Sequence, residues 1–196
     1  MKAYKNNNTY KLPTKVNRTY YKYQDTSWTQ PTLSSNGTIG GNSFACFAGS
    51  FAGSYQPYYA FDGSTTTAWC SNSTNTADFI GFYNPKPLLV TNIHCYNYQW
   101  ITGKWEVYGS NDNEYYELLA TGVNQYNTNG SRFNMELNSN TKAFKYYKIQ
   151  CLTTLAAQRV GFGELTITAK ERVTVNGSAS NHDFYEDKVT YYGIGG

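Results

Sequence analysis

The chain lacks a long apolar run, and this absence argues against a transmembrane helix. No segment of its 196 residues approaches the roughly 18 consecutive apolar residues that such a helix requires. The first residues also lack the apolar segment that follows the basic start of a signal peptide. We therefore expect no membrane insertion and no signal peptide.

Charge of either sign is also scarce, which argues against nucleic acid as a partner. Charged residues make up 15% of the chain, the formal net charge is +3, and the basic residues are scattered. Nucleic-acid-binding domains instead concentrate Lys and Arg in blocks or on one face. Since disorder usually accompanies a high net charge, we expect a folded chain.

Recognised signatures of catalysis are missing as well. The sequence contains no nucleophile elbow, phosphate-binding loop or dinucleotide fingerprint, and its carboxylates are dispersed. Only two histidines occur, His94 and His182. A catalytic Cys–His pair would need His94 and Cys95 within reach of each other, plus an orienting group. We interpret His94 as a buried, hydrogen-bonded residue, and we predict that the protein is not an enzyme.

Cysteines are few, and their spacing matches no zinc-binding pattern. Cys46, Cys95 and Cys151 stand among apolar or aromatic neighbours, and Cys70 follows a tryptophan. We predict buried free thiols, with a Cys46–Cys70 disulfide as the alternative. Free thiols without an export signal favour folding in a reducing cytoplasm.

Aromatic residues are abundant, with 20 Tyr, 10 Phe and 4 Trp. These rings bury large areas, so we expect a Tyr-rich core and a Tyr-rich surface. Short apolar or alternating segments separated by Gly, Pro and Asn, with no helical period, predict an all-β sandwich or barrel. The main predicted strands are residues 78–83, 88–98, 104–110, 133–137, 144–151 and 164–169, with a turn at 84–87.

Three motifs occur in a fixed order along the chain. The first spans residues 60–69 and contains an Asp-Gly turn, in which Gly takes positive φ and Asp bonds its own backbone. The second, Trp105-Glu-Val-Tyr-Gly-Ser-Asn-Asp112, precedes two tyrosines. The third is Glu164-Leu-Thr-Ile167, which opens an alternating strand.

Together these motifs resemble those of the discoidin family, also called coagulation factor 5/8 type C domains. The family pattern Ala-x-Asp-Gly-x-x-x-Thr-x-Trp falls on Ala60, Asp62, Gly63, Thr67 and Trp69. The resemblance implies an all-β, galactose-binding-like jelly-roll β-sandwich with short N- and C-terminal extensions. We predict assembly-contact extensions at residues 1–28 and 170–196 around a sandwich at 29–169.

The resemblance also implies a structural Ca²⁺ near the Asp-Gly turn. Its ligands would be Asp62, Thr67 and Glu164, with backbone carbonyls near Ala60 supplying part of the six to eight oxygens that Ca²⁺ takes. Ser64 stands where the family often has Asp or Asn. In the alternative interpretation, Asp62 caps a turn and Glu164 bonds backbone amides.

The family binds its ligands on loops at one end of the sandwich. Aromatic faces there stack on sugar C–H groups while amide and guanidinium groups bond hydroxyls, and such loops sit on a rigid scaffold. In the alternative, these rings belong to the core or to a protein interface. The matching residues here are Tyr55, Tyr58, Asn72, Trp100, Arg159 and Phe162.

The opening of the domain, residues 28–45, also resembles discoidin modules of bacteriophage structural proteins. We therefore predict a non-catalytic virion component, such as a tail, baseplate or fibre subunit. It would be assembled in the host cytoplasm, with other virion proteins, copies of itself and cell-surface glycans as partners. The alternatives are an extracellular carbohydrate-binding or adhesion module of a secreted bacterial protein, and a capsid decoration protein with a purely structural role.

Overall fold

A computed structural model describes residues 23–72, 77–155 and 158–174 with their side chains, and the backbone of residues 4–6, 9–11, 16–22, 175 and 185–191. Two compact units share the chain: a main unit, Asp25–Arg172, and a terminal unit made of Met1–Gln24 and Val173–Gly196. The predicted sandwich at 29–169 thus lies within the main unit. In chain order the strands are β1 (Tyr4–Asn6), β2 (Thr9–Lys11), β3 (Val16–Ser27), β4 (Ala45–Ala48), β5 (Trp69–Cys70), β6 (Asp78–Tyr96), β7 (Lys104–Ser110), β8 (Glu117–Val123), β9 (Arg132–Glu136), β10 (Phe144–Cys151), β11 (Gly161–Phe162), β12 (Glu164–Val175) and β13 (Tyr185–Tyr191).

The terminal unit brings the two ends of the chain together. β3 pairs antiparallel with β13, with Val16 opposite Tyr191 and Lys22 opposite Tyr185, and β1 pairs with β2. The sequence predicts extensions at residues 1–28 and 170–196, and their role as assembly contacts stays a prediction. A strand at either end satisfies the backbone groups of the other.

The main unit is a sandwich whose two layers share β6. The first half of β6 pairs with β4 and β10. β10 also pairs with β7, and β7 pairs with β8. The second half of β6 lies between β12 and β9. One layer therefore has five strands, and the other includes β9, β6 and β12. The described ranges contain no long helix, only a 3-10 turn at Pro57–Ala60, and none could span a membrane. The prediction of an all-β fold is confirmed.

Strand β6 runs through two prolines that the sequence analysis assigns to a turn. Residues 84–87, with Pro85 and Pro87, have no cross-strand partner on either side. Pairing ends at Tyr83 and resumes at Leu88. Because proline lacks the N–H that a ladder needs, it fits where β6 leaves one layer and enters the other. The predicted turn is therefore a corner inside one continuous strand.

Rings of phenylalanine and tryptophan, rather than tyrosine, dominate the core between the layers. Phe82 stacks on Tyr147 with centroids 5.0 Å apart, and Phe44 packs edge-on against Phe61 at 5.9 Å. Tyr147 is fully buried and donates its hydroxyl to the Leu88 carbonyl at 2.6 Å. Among described residues only Tyr83 and Tyr147 are buried tyrosines. Each buried phenol needs a hydrogen-bond partner, so the expected Tyr-rich core is wrong.

All four cysteines are buried and free, as predicted. Burial raises the pKa of the Cys46 thiol to about 12, and it also raises the pKa of Cys70, where the Arg159 side chain acts in the opposite direction. The alternative Cys46–Cys70 disulfide is not formed. Thiols this strongly protonated are poor nucleophiles and behave as small apolar side chains.

One side chain completes the outer edge of β12. The Gln30 carboxamide donates to the Leu165 carbonyl at 2.9 Å and accepts from the Ile167 N–H at 2.7 Å. A primary amide carries both a donor and an acceptor, so Gln30 replaces one link of a neighbouring strand. The start of β12 is therefore held on both sides.

Candidate functional site

The Asp-Gly turn is built by its own side chains. Gly63 has a φ of 74°, which glycine adopts without strain. Asp62 Oδ1 accepts a hydrogen bond from the Ser64 N–H at 2.8 Å, and Oδ2 accepts one from the Thr67 hydroxyl at 2.8 Å. Both oxygens of Asp62 therefore stabilise the turn directly.

Glu164 meets this turn from the start of β12. Its Oε2 accepts a hydrogen bond from the Gly63 N–H at 3.1 Å, which confirms the prediction that Asp62 and Glu164 are neighbours. Burial, together with the nearby Asp62 carboxylate, raises the pKa of Glu164 to about 8, while the hydrogen bond from the Gly63 N–H acts in the opposite direction. The turn thus places two carboxyl groups together with little positive charge to balance them.

The donor set at this turn fits a hard cation. It includes two carboxyl groups and the Thr67 hydroxyl, which are oxygen ligands of the kind that Ca²⁺ prefers. Among the described residues no group of three or more His, Cys, Asp or Glu gathers. Both parts of the alternative interpretation also hold, since Asp62 caps the turn and Glu164 bonds a backbone amide. The calcium site stays a prediction.

Four loops meet at one end of the sandwich through hydrogen bonds between distant segments. The buried Trp69 donates its indole N–H to the Ser50 carbonyl at 2.9 Å. The Ala52 N–H bonds the Cys70 carbonyl at 3.0 Å, which joins the loop before the Asp-Gly turn to β5. The remaining links are Ser71 N–H to Val160 O at 3.0 Å and Leu155 N–H to Ile101 O at 2.8 Å.

Tyr55 and Trp100 form an aromatic pair at this end. Their ring centroids lie 4.5 Å apart at an interplanar angle of 76°, and both side chains are half-buried. They come from the loop before the Asp-Gly turn and from the loop after β6. The structure therefore brings together two rings that the sequence assigns to separate ligand loops.

Two polar residues lie on the other two loops. Asn72 is exposed, and its N–H bonds the Ser50 hydroxyl at 2.9 Å, which in turn donates to the Asp78 carboxylate. Arg159 is half-buried, with one guanidinium nitrogen 3.8 Å from the Cys70 sulfur. We use the name loop cluster for Tyr55, Asn72, Trp100 and Arg159.

The remaining two predicted ligand residues lie elsewhere. Tyr58 packs partly against the core and against Tyr59, with ring centroids 4.4 Å apart. Phe162 is fully buried and stacks on Trp69 at 6.2 Å. A ring with no exposed surface cannot stack on a sugar, so the assignment of Phe162 to the ligand surface is wrong. It is a core residue beneath the loop cluster.

His94 differs from its predicted environment. It is exposed, and its ring nitrogens lie 2.8 Å from Asn134 Oδ1 and 3.2 Å from the Thr168 hydroxyl. The expected hydrogen bonds exist, but burial does not. Cys95, the next residue on β6, is buried, because neighbouring strand residues point to opposite faces. No Cys–His pair can form.

The sequence analysis gives no role to Arg132 and Asn134, which lie beside His94. Both occupy the exposed positions of β9, whose burial alternates along the strand. That alternation is visible in the sequence as apolar residues at 133, 135 and 137. It indicates which residues face outward, although it carries no signal of what they meet there.

Comparison with known proteins identifies the fold. No protein-family model and no curated protein sequence matches the chain. Among solved structures, it resembles the module CBM32-3 from a family 31 glycoside hydrolase of Clostridium perfringens, with 21% identity over 63% of this chain and 88% of that one, at a TM-score of 0.56. It also resembles the family 32 CBM of C. perfringens NanJ, solved in complex with galactose, with 18% identity over 63% and 92% of the two chains at a TM-score of 0.54.

A third similar structure is a chitosan-binding module from a chitosanase/glucanase of Paenibacillus sp. IK-5. It shares 17% identity over 66% of this chain and 96% of that one, at a TM-score of 0.54. At such identities the likeness shows the fold alone. The main unit is a galactose-binding-like β-sandwich, as the sequence resemblance implies.

Proposed function

We propose that the main unit is a non-catalytic carbohydrate-binding module whose loop cluster holds a sugar. The observation that carries this proposal is the half-exposed Tyr55–Trp100 pair. Asn72 and Arg159 lie on the other two of the four hydrogen-bonded loops. An aromatic pair provides an apolar surface for sugar C–H groups, and the amide and guanidinium groups provide hydrogen bonds. The NanJ module was solved with galactose, and another similar module was solved with GalNAc-β-1,3-galactose.

The test measures binding of galactose and GalNAc-β-1,3-galactose by calorimetry with the whole chain. We expect weak binding that Trp100→Ala lowers by about tenfold or more, because a stacked aromatic anchor is worth more than 1 kcal/mol. Tyr115→Ala is the matched control, since Tyr115 is 80% exposed and lies outside the loop cluster. Equal affinities for the wild-type chain and Trp100→Ala would refute the assignment of the site.

We propose in addition that Asp62, Thr67 and Glu164 hold a structural Ca²⁺. When bound, the ion would balance the two carboxyl groups and tie β12 to the Asp-Gly turn. Its role would be to hold the loop before the turn in place. Calcium should raise the unfolding temperature of the wild-type chain and leave that of Asp62→Asn unchanged, and equal shifts in both proteins would contradict the site.

For the biological setting, we propose an extracellular bacterial protein that carries this module. The similar structures are modules of glycan-degrading bacterial enzymes, which supports this setting. The virion placement stays a prediction. Detection of the chain by mass spectrometry in purified phage particles, and not in cell-free culture medium, would favour the virion.

The terminal unit favours a second role as a point of attachment. Both ends of the chain contribute a strand to it, through the pairing of β3 with β13. We propose that this unit contacts copies of the chain or another protein. Light scattering should give more than one copy per particle for the full chain and one copy for residues 25–172. A monomeric full chain would argue against self-association.

A further inference from the structure

The outer face of the layer that contains β12, β6 and β9 carries polar residues in register. One row across the strands runs Glu164, Tyr96, Arg132, and the next runs Thr166, His94, Asn134. The residues between these rows on each strand point into the core. Strand pairing therefore places six polar or aromatic side chains on one exposed surface.

Two cavities adjoin on this face. The first, of about 290 Å³, lies between the two rows and Thr65 of the Asp-Gly turn. The second, of about 430 Å³, is lined by Gln125, Tyr126 and Glu136. Arg132, Phe133 and Asn134 border both, so the two cavities adjoin along β9. We call these two adjoining cavities the outer groove.

Hydrogen-bond donors at the centre of the outer groove have no partner within the described part of the chain. The Arg132 guanidinium lies over the Tyr96 ring, 5.5 Å from its centroid, and donates no hydrogen bond to a described residue. Asn134 uses its carbonyl oxygen toward His94 Nδ1, which leaves its NH₂ group available. His94 in turn holds the Asn134 amide in one orientation.

The charges of the outer groove argue against an anionic ligand. Glu164 borders the first cavity and Glu136 the second, so a carboxyl group stands on each side of the Arg132 guanidinium. A phosphate or carboxylate would meet the Glu136 carboxylate and would oppose the ionisation of Glu164. A neutral ligand rich in hydroxyl and carbonyl oxygens would instead accept from Arg132 and Asn134, and Tyr126, which is 54% exposed, offers a ring for stacking.

We propose that the outer groove binds a neutral oligosaccharide along β9, as a second contact surface separate from the loop cluster. This inference rests on the proposed function, because it assigns the same ligand class to a new site. Two adjoining cavities suit a chain of sugar rings, whereas the Tyr55–Trp100 pair suits a single ring. The outer groove thus selects for ligand length.

The test uses amide NMR spectra of the whole chain titrated with galactose and with the neutral tetrasaccharide lacto-N-neotetraose. We expect the tetrasaccharide to shift resonances of β9 and of the second half of β6, and galactose to shift only those of the loop cluster. Arg132→Met keeps the apolar stem over Tyr96 and removes the donors. It should weaken tetrasaccharide binding by about tenfold and leave galactose binding within about twofold.

Lys104→Met is the matched control, since it removes one exposed cation from β7 in the other layer. Tetrasaccharide shifts confined to the loop cluster, or wild-type affinity in Arg132→Met, would overturn the outer groove while the proposed function stands. If the wild-type chain binds neither sugar, the proposed function and the outer groove fail together. The resonance shifts of the wild-type chain test the outer groove even if a variant fails to fold.

Discussion

The loop cluster and the outer groove belong to the same sandwich but are positioned by different means. In the loop cluster, single hydrogen bonds link loops that are far apart in sequence, such as the bond from Trp69 to Ser50. In the outer groove, three paired strands set the positions of Arg132, His94 and Glu164 in register. The loop cluster can therefore be disturbed by one substitution beneath it, whereas the outer groove tolerates changes at its surface.

The two surfaces also differ in what they offer a ligand. Rings in close contact form the centre of the loop cluster, and free donors form the centre of the outer groove. Stacking is tolerant of ring identity, while donors fixed in register discriminate by the positions of oxygen atoms. The four predictions below test this contrast, in order of decreasing effect.

Trp69→Ala should produce the largest effect. Trp69 is fully buried, stacks on Phe162 and holds the Ser50 carbonyl. We expect a loss of about 3–5 kcal/mol in the free energy of unfolding, measured by urea denaturation, together with disturbed resonances throughout the loop cluster. Arg132→Ala on the outer groove should cost less than about 1 kcal/mol. Comparable losses of stability in both variants would contradict the proposed difference between the loop cluster and the outer groove.

Phe162→Leu should separate stability from binding. Because Phe162 is buried beneath the loop cluster, the change should cost about 1–2 kcal/mol in the free energy of unfolding. Galactose affinity of the folded fraction should stay within about twofold, whereas Trp100→Ala should lose affinity with little loss of stability. A large drop in affinity for Phe162→Leu without loss of stability would return Phe162 to the ligand surface.

The buried contact of Glu164 with the Asp-Gly turn should make the stability of the fold depend on pH. The folded chain keeps this proton up to about pH 8, while the unfolded chain releases it near pH 4.5. The folded state therefore holds more protons between these values, and the free energy of unfolding falls as pH rises through this window. Melting curves with a calcium chelator should show this decline in the wild-type chain and not in Glu164→Gln.

Glu114→Gln serves as the matched control for this series, because Glu114 is exposed in the turn after β7. It should keep the decline seen in the wild-type chain. Added Ca²⁺ should remove the decline in the wild-type chain at high pH. A pH-independent melting temperature in the wild-type chain would contradict the raised pKa of Glu164.

Ser50→Ala should have the smallest effect of the four. The Ser50 hydroxyl accepts from the Asn72 N–H and donates to Asp78, so its loss removes two hydrogen bonds at a half-buried position. We expect a cost of about 0.5–1.5 kcal/mol in denaturant melts, with a modest loss of galactose affinity. Ser54→Ala, at an exposed position of the same loop, is the control. Equal behaviour of the two variants would show that Asn72 is placed by other contacts.

The Asp-Gly turn could be predicted from the residues that form it. The dipeptide Asp62-Gly63 predicts a tight turn from its own two residues, and Glu164 opens an alternating strand. The family resemblance could therefore locate the first and last parts of the sandwich. The alternating residues 133–137 and the segment 144–151 likewise anticipate β9 and β10. These features depend on residues that are close together in the chain, so they can be predicted from the sequence.

Long-range pairing explains what could not be predicted. Phe162 lies in a two-residue strand whose partner, β5, is far away in sequence, so nothing local distinguishes it from a loop ring. The outer groove requires the register of three distant strands, although each exposes its polar residues by simple alternation. Pro85 and Pro87 read as a turn because the change of partners along β6 has no local signature.

Gln30 has a consequence for the behaviour of the protein at high concentration. Unpaired edges of β-sheets can pair with strands of other molecules, which is a common route to edge-to-edge aggregation. By bonding the Leu165 carbonyl and the Ile167 N–H, one carboxamide occupies the backbone groups that another strand would need at the start of β12. In a chain with so little charge, a single amide in the place of a strand thus removes one site for such pairing.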